Sequence, residues 1–363
     1  MKLNSITNFI TLAFCVLSLN TFAQLNTPRG SQRASVSQRV GITDITINYS
    51  RPSVNGREIW GKLVPYGLNN LGFGTAKAAP WRAGADENTT ITFTDNVMVE
   101  GKPIQGGTYG FFVEVKPDNK ATIILSKDAN AWGSFFYDKN NDVLRADVIT
   151  NDVPHKELLT YEFNTVTPTS ATVSLIWDKM EIPFTIAVPV SNIVLNNIRE
   201  ELKGQAGFVR QNWEQAANYA LNNGGDLNEA LSWINAAIEG QFFSQKTFNN
   251  LAIKGQILNK QGKSLEYAML MDEASEIANK NQLNTLGYQM LNAKDYERAL
   301  KCFKTNIKNN PKDPNGYDSL GEAYKIMGDK QKAIKYLKKA LSLNPPTNVK
   351  ANSEKLLGEL NAL

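Results

Sequence analysis

Residues 283–311 read LNTLGYQMLNAKDYERALKCFKTNIKNNP, and residues 317–345 read YDSLGEAYKIMGDKQKAIKYLKKALSLNP. Set one above the other, Leu283, Leu286, Gly287, Met290, Ala299, Phe303 and Pro311 recur 34 residues later as Tyr317, Leu320, Gly321, Tyr324, Ala333, Leu337 and Pro345. Within each copy the apolar positions return every three to four residues with Asn, Lys and Gln between them, which predicts a pair of amphipathic helices. Glycine and alanine let two helices approach closely, and the large residues fill the space between neighbouring pairs. Asp295 and Asp329 fall between the two helices, where an acid suits the start of the second. One such pair cannot bury its apolar faces alone, so the pattern implies a stack.

Extended upstream, the spacing of the small residues carries the repeat back to about residue 205. Ala217, Ala252, Gly287 and Gly321 lie 35, 35 and 34 residues apart, and Ala230, Ser264, Ala299 and Ala333 lie 34, 35 and 34 apart. Four units are expected over 205–346, with Gly321 facing Ala333 across the two helices of the last. The first opens on Trp213, Ala216 and Ala217 and carries an extra residue near Asn222 to Gly225. The second opens on Phe248, Leu251 and Ala252 and lacks the closing proline. Residues 347–363 carry Leu356, Leu357 and Leu360, as expected of a helix covering the end of the stack. The array resembles tetratricopeptide repeats, and that resemblance implies a concave groove lined by the first helix of each unit. The outward positions there are read as Gln211, Gln215, Asn218, Asn249, Asn250, Asn284, Tyr288, Asn315, Asp318 and Glu322. Amides dominate, and they can donate to and accept from an extended peptide backbone. The lysine clamp by which some relatives hold a terminal carboxylate is unmatched, since Asn284, Tyr288, Asp318 and Glu322 stand where it needs cations.

Ahead of Pro189 the period is two. Ala171, Val173, Leu175 and Trp177 alternate with polar or opposite-face residues, as do Tyr109, Phe111, Val113 and Val115, and Ile182, Phe184, Ile186 and Val188. Shorter runs follow the same rule at Ile45 to Tyr49, Ile91 to Phe93, Val97 to Val99, Ile123 to Leu125, Ala146 to Val148 and Leu159 to Phe163. Turn residues such as Asn55-Gly56 and Pro117-Asp118-Asn119 separate them. Eight to ten short strands with hairpin-length links predict an antiparallel β-sandwich or jelly-roll-like domain over 24–190. Residues 191–204 are read as a linker and helix start.

Several strings in this half form a set: Arg33 to Gln38, Asp44 to Pro52, Gly56-Arg57 with Ile59-Trp60-Gly61, Leu63 to Gly67, and Trp81 to Ala85. With Gly107-Thr108-Tyr109 and Trp132-Gly133, they resemble the secreted Bacteroidota family catalogued as domain of unknown function 2911. The resemblance implies an extracytoplasmic β-domain, sometimes joined to helical repeats, and no known activity. Leu68 to Pro80 is an insertion relative to that pattern, placed to reshape or lid any site spanning the flanking strings.

The remaining composition narrows the chemistry. The chain has 363 residues, 42% hydrophobic and 20% charged, with 39 basic against 35 acidic groups, one histidine and two cysteines. An interspersed net charge of +4 does not announce nucleic acid. One histidine and two cysteines cannot build a Cys/His zinc site; no metal, cofactor or catalytic residue is assigned, and His155 is read as a solvated loop residue. Lys2, the apolar run from Phe9 to Leu19 and Ala23-Gln24 read as a secretory signal peptide over 1–23 with cleavage after Ala23. Its apolar run falls short of the roughly 20 residues a bilayer span needs. Phe14 ahead of Cys15 argues against lipidation. Cleavage leaves Cys302 as a lone thiol, so no intramolecular disulfide can form.

Between Ser50 and Asn88 lie Arg51, Arg57, Trp60, Tyr66, Trp81, Arg82, Asp86 and Glu87. These could receive a carboxylate, phosphate or sugar through forked hydrogen bonds and stacking; equally, the arginines could pair with Asp86 and Glu87 while the tryptophans plug the sandwich. As neighbours in a strand-like stretch, Asp86 and Glu87 would point to opposite faces and make a poor acid pair. The sequence reads as a periplasmic or secreted, non-enzymatic binding or scaffold protein that takes a protein or peptide in the groove, without nucleic acid and without a membrane span after cleavage. The competing reading is an extracytoplasmic enzyme or carbohydrate or small-ligand module acting through Arg51 to Glu87.

Overall fold

The computed structural model describes residues 27–362. The stretch read as a signal peptide lies outside the described residues. The chain divides between Pro189 and Val190 into two compact units.

Among the described residues, the first unit is built from ten antiparallel strands in two sheets. β1 (Gln32–Val40), β2 (Thr43–Arg51), β3 (Thr90–Phe93), β6 (Gly107–Lys116), β7 (Lys120–Ser126) and β8 (Asp142–Ile149) form one sheet in the order β1-β2-β3-β6-β7-β8. β4 (Val97–Val99), β5 (Lys102–Ile104), β9 (Asn151–Val166) and β10 (Ser170–Ala187) form the other, ordered β5-β4-β10-β9. Alternation explains the packing: Ile45, Ile47 and Tyr49 on β2 are buried while Thr46 and Asn48 are half-exposed. The sheets face each other through aromatic pairs. Phe111 on β6 stacks on Phe184 of β10 at 5.2 Å, and Tyr49 meets Tyr161 of β9 edge to face at 4.7 Å.

Two sequence expectations change here. Residues 171–188, read as two runs, make one 18-residue strand, β10, whose register shifts around Asp178. His155 is not in a loop. It lies within β9, an edge strand, where Pro154 is tolerated because no ladder partner needs its missing N–H.

The insertion at 68–80 covers the outer face of β6 and β7. Ala76 and Ala79 pack there with Phe112, Ile124 and Tyr137, so β7 is buried on both sides. Past Gly110, where β3 stops, the free edge of β6 is taken by loop backbone: Phe111 donates to Thr89 O, Trp81 and Val113 exchange bonds of 2.9 and 2.8 Å, and Gly67 donates to Val115 O. That pairing satisfies buried backbone without a regular strand.

The second unit is helical. α1 (Val190–Glu201) occupies most of the stretch read as linker and buries Leu195. Four hairpins follow: α2 (Arg210–Asn222) with α3 (Leu227–Ile238), α4 (Phe248–Lys260) with α5 (Ser264–Ile277), α6 (Lys280–Asn292) with α7 (Tyr296–Asn309), and α8 (Pro314–Ile326) with α9 (Lys330–Leu341). α10 (Thr347–Glu359) closes the stack, with Leu356 and Leu357 packed on Leu337. Asp295 and Asp329 cap α7 and α9 by accepting from the N–H groups of Arg298 and Lys332.

The register of the second hairpin differs from the sequence expectation. Gly287 lies against Phe303 and Gly321 against Leu337; in the second hairpin the glycine so placed is Gly255, against Met271. Its equivalents are thus Gly255 and Tyr267 in place of Ala252 and Ser264. Ser264 is merely the first residue of α5. Ala217, Gly255, Gly287 and Gly321 are spaced by 38, 32 and 34 residues. The long link 239–247 delays the second hairpin, and the short link Ala278-Asn279 restores the average. In the last hairpin the atoms nearest a Cβ at Gly321 belong to Leu337, one turn after Ala333 on α9.

Candidate functional site

In the β unit the loop between β2 and β3 borders a cavity of about 830 Å³ whose wall includes Arg57, Trp81, Arg82, Asp86, Glu157 and Trp177. Arg82 is the most constrained of these. Its guanidinium stacks over Phe135 at 5.2 Å, and Gly133, at φ 67°, presses so close that a Cβ there would sit 2.6 Å from Arg82 Cζ. Nη1 donates to the Asp86 carbonyl at 2.7 Å, and burial lowers the guanidinium's pKa from its ordinary value. Ala83, buried at φ 51°, accepts through its carbonyl from Thr89 Oγ1 and Tyr161 OH, which locks the backbone beside Arg82.

The other residues of the set separate. Arg51 Nε donates to Leu159 O at 2.9 Å and its Nη2 to Thr160 Oγ1 at 2.7 Å, which ties β2 to β9. Arg57 is exposed and holds the Val54 and Ser53 carbonyls. Trp60 meets Trp81 and Trp177 edge to face at 5.7 and 6.0 Å, and those two stack at 5.9 Å. Tyr66 is exposed. Glu87 pairs with Arg29, which holds its carboxyl below the usual range. Among the described residues, none of Arg51, Arg57 and Arg82 forms an ion pair with Asp86 or Glu87. Asp86, at φ 58°, is not in extended chain, so the strand argument about that acid pair does not apply. His155 bonds Asp178 at 2.9 Å and Glu157 at 3.2 Å, and these carboxylates raise its pKa. A hollow of about 650 Å³ lies near Lys116 and Lys120, but Lys116 is committed to Asp147.

In the helical unit, equivalent positions on the first helices are Asn218, Gln256, Tyr288 and Glu322, by the register set out above. Tyr288 OH donates to Glu322 at 2.7 Å, and burial raises the phenol's pKa. Asn284 has a buried Oδ1 with no hydrogen-bond partner among the described residues. Gln211, Gln215, Asn218 and Asn249 are exposed, and Asn315 is half-buried. Two residues read as groove are internal. Asn250 is fully buried in a capping box with Thr247 and reaches Gln245 O and Glu214. Asp318 is buried under α10, accepting from Asn352 at 2.8 Å and from Ser353, and burial raises its pKa.

Residues 31–186 match the family described as Protein of unknown function (DUF2911). The β unit is a DUF2911-like domain. Residues 314–347 match the Tetratricopeptide repeat family, which spans α8, α9 and the approach to α10. Tetratricopeptide-like repeats support a protein-interaction scaffold, and none of the described helices is long and apolar enough to cross a membrane. No curated protein matches. Among solved structures, MamA is 16% identical over 43% of this chain and 89% of its own, with a TM-score of 0.32. YrrB, described as a TPR protein with an unusual peptide-binding site, is 16% identical over 46% and 84%, also at 0.32. MamA from Desulfovibrio magneticus RS-1 is 20% identical over 43% and 92%, at 0.29.

Sequence reading passed over three residues. Trp177 and Glu157 reach the wall of the cavity in the DUF2911-like domain from β10 and β9, roughly a hundred positions from the loop they meet, and no local signal connects them. Gln256 had a signal. Thr247 with Asn250 and Asn279 with Gln282 are capping boxes 32 residues apart, which sets the register that puts Gln256 in line with Tyr288.

Proposed function

We propose that the protein is an exported, non-enzymatic scaffold that holds an extended polypeptide along the first helices of its tetratricopeptide-like repeats. The observation that carries this reading is Asn284, whose buried Oδ1 is unpartnered beside the row Asn218, Gln256, Tyr288 and Glu322. A buried acceptor without a partner costs about 1 to 3 kcal/mol, a cost that a backbone N–H of a bound peptide would offset once the Asn284 amide turns outward. Amide side chains at neighbouring positions supply donors and acceptors without requiring charge.

Photo-crosslinking residues placed at Gln256 and Asn218 of the full chain should capture the same partner. Asn284→Ala combined with Gln256→Ala should weaken that capture about tenfold, as loss of one or two buried hydrogen bonds predicts, and should leave the thermal midpoint near wild type. Undiminished capture by the double variant would remove the first helices as the binding surface. Export is checked separately: the native protein should begin at Gln24 by mass spectrometry. A mature chain retaining Met1 refutes export and leaves the groove reading standing.

A further inference from the structure

The cavity of the DUF2911-like domain has a composition that the scaffold reading does not use. Two guanidinium groups, Arg57 and Arg82, and two carboxylates, Asp86 and Glu157, share its wall with Trp81 and Trp177. Formal charges on these four groups cancel, so the lining offers no net attraction to an anion. It offers forked donors, ionic acceptors and indole surface side by side. That combination suits a ligand whose hydroxyls both donate and accept and whose C–H faces pack on aromatic rings.

Arg82 is held ready for such a ligand. Phe135 and Gly133 fix the plane of its guanidinium, and its one hydrogen bond among the described residues uses Nη1. Nε and Nη2 are therefore left to donate. Glu157 supplies the complementary acceptor; its Oε1 receives the Asn55 N–H at 2.8 Å and its Oε2 meets His155 at 3.2 Å, which fixes the carboxylate. A volume of about 830 Å³ is within the range of small-molecule sites and exceeds what one sugar ring fills.

We infer that this cavity binds a neutral oligosaccharide, with Arg82, Arg57 and Glu157 bonding its hydroxyls and Trp81 against a ring face. All of its lining residues belong to the first unit, and the two readings fail independently. The test titrates the full chain with maltotriose, cellotriose, xylotriose and chitotriose by calorimetry and tryptophan fluorescence, with inorganic phosphate and glutarate as anionic probes. At least one of the sugars should bind and perturb the tryptophan emission. Arg82→Gln and the exposed Arg57→Ala should each weaken that binding about tenfold, the scale of a hydrogen bond from a charged group, while the thermal midpoint of Arg57→Ala stays at the wild-type value. The inference is overturned if none of these sugars binds, if phosphate or glutarate binds at least as tightly, or if Arg57→Ala and Arg82→Gln keep full affinity.

Discussion

Trp177→Ala should destabilise the β unit by about 3 to 5 kcal/mol, the cost of removing a large aromatic from a packed core. The indole is 1% exposed and contacts Trp81 and Trp60 at centroid distances of 5.9 and 6.0 Å. Its loss strips two partners at once, and Trp81 is also the residue whose backbone pairs with Val113. Damage at β10 should therefore spread into the loop bearing Arg82. Denaturant unfolding followed by near-ultraviolet circular dichroism would register both the lower midpoint and the lost aromatic signal. A midpoint within experimental error of wild type would mean that the three tryptophans do not form a core cluster.

Gly321→Leu should cost about 3 kcal/mol, at the upper end for overpacking. A Cβ at that position would lie 2.7 Å from Leu337 Cγ and 3.1 Å from the Leu337 backbone nitrogen, so a rotamer change in Leu337 cannot relieve all of the clash. Leu337→Ala alone is expected to destabilise by about 2 to 5 kcal/mol, but added to Gly321→Leu it makes room for the new side chain. The double variant should be clearly more stable than the sum of the single effects, as measured by far-ultraviolet circular dichroism of the full chain. Strict additivity would show that Gly321 and Leu337 are not in contact and that the hairpin register is wrong.

Local patterns account for what the sequence determined alone. The period of two in Ile45, Ile47 and Tyr49 marks one face of a strand whatever lies opposite, and the recurrence from Leu283 to Pro311 in Tyr317 to Pro345 specifies two helix pairs because capping, small contacts and apolar spacing all agree within 34 residues. The register of the second hairpin escaped this reading because the link 239–247 and the link at Ala278-Asn279 deviate in opposite senses, so the small residues still average near 35. The contact of Gly255 with Met271 distinguishes the two alignments, in agreement with the capping boxes at Thr247 and Asn279. The candidate site in the β unit was decided almost wholly by tertiary structure. Arg51, Arg57 and Arg82 are alike in sequence, yet Arg51 is taken up by the carbonyl of Leu159 more than a hundred positions away, Arg57 gives Nε and Nη2 to carbonyls three and four positions away and keeps Nη1, and Arg82 is clamped between Phe135 and Gly133 with Nε and Nη2 to spare. An arginine's role depends on which acceptors the fold brings within about 3 Å of it, and in a β-sandwich those acceptors come from strands distant in sequence.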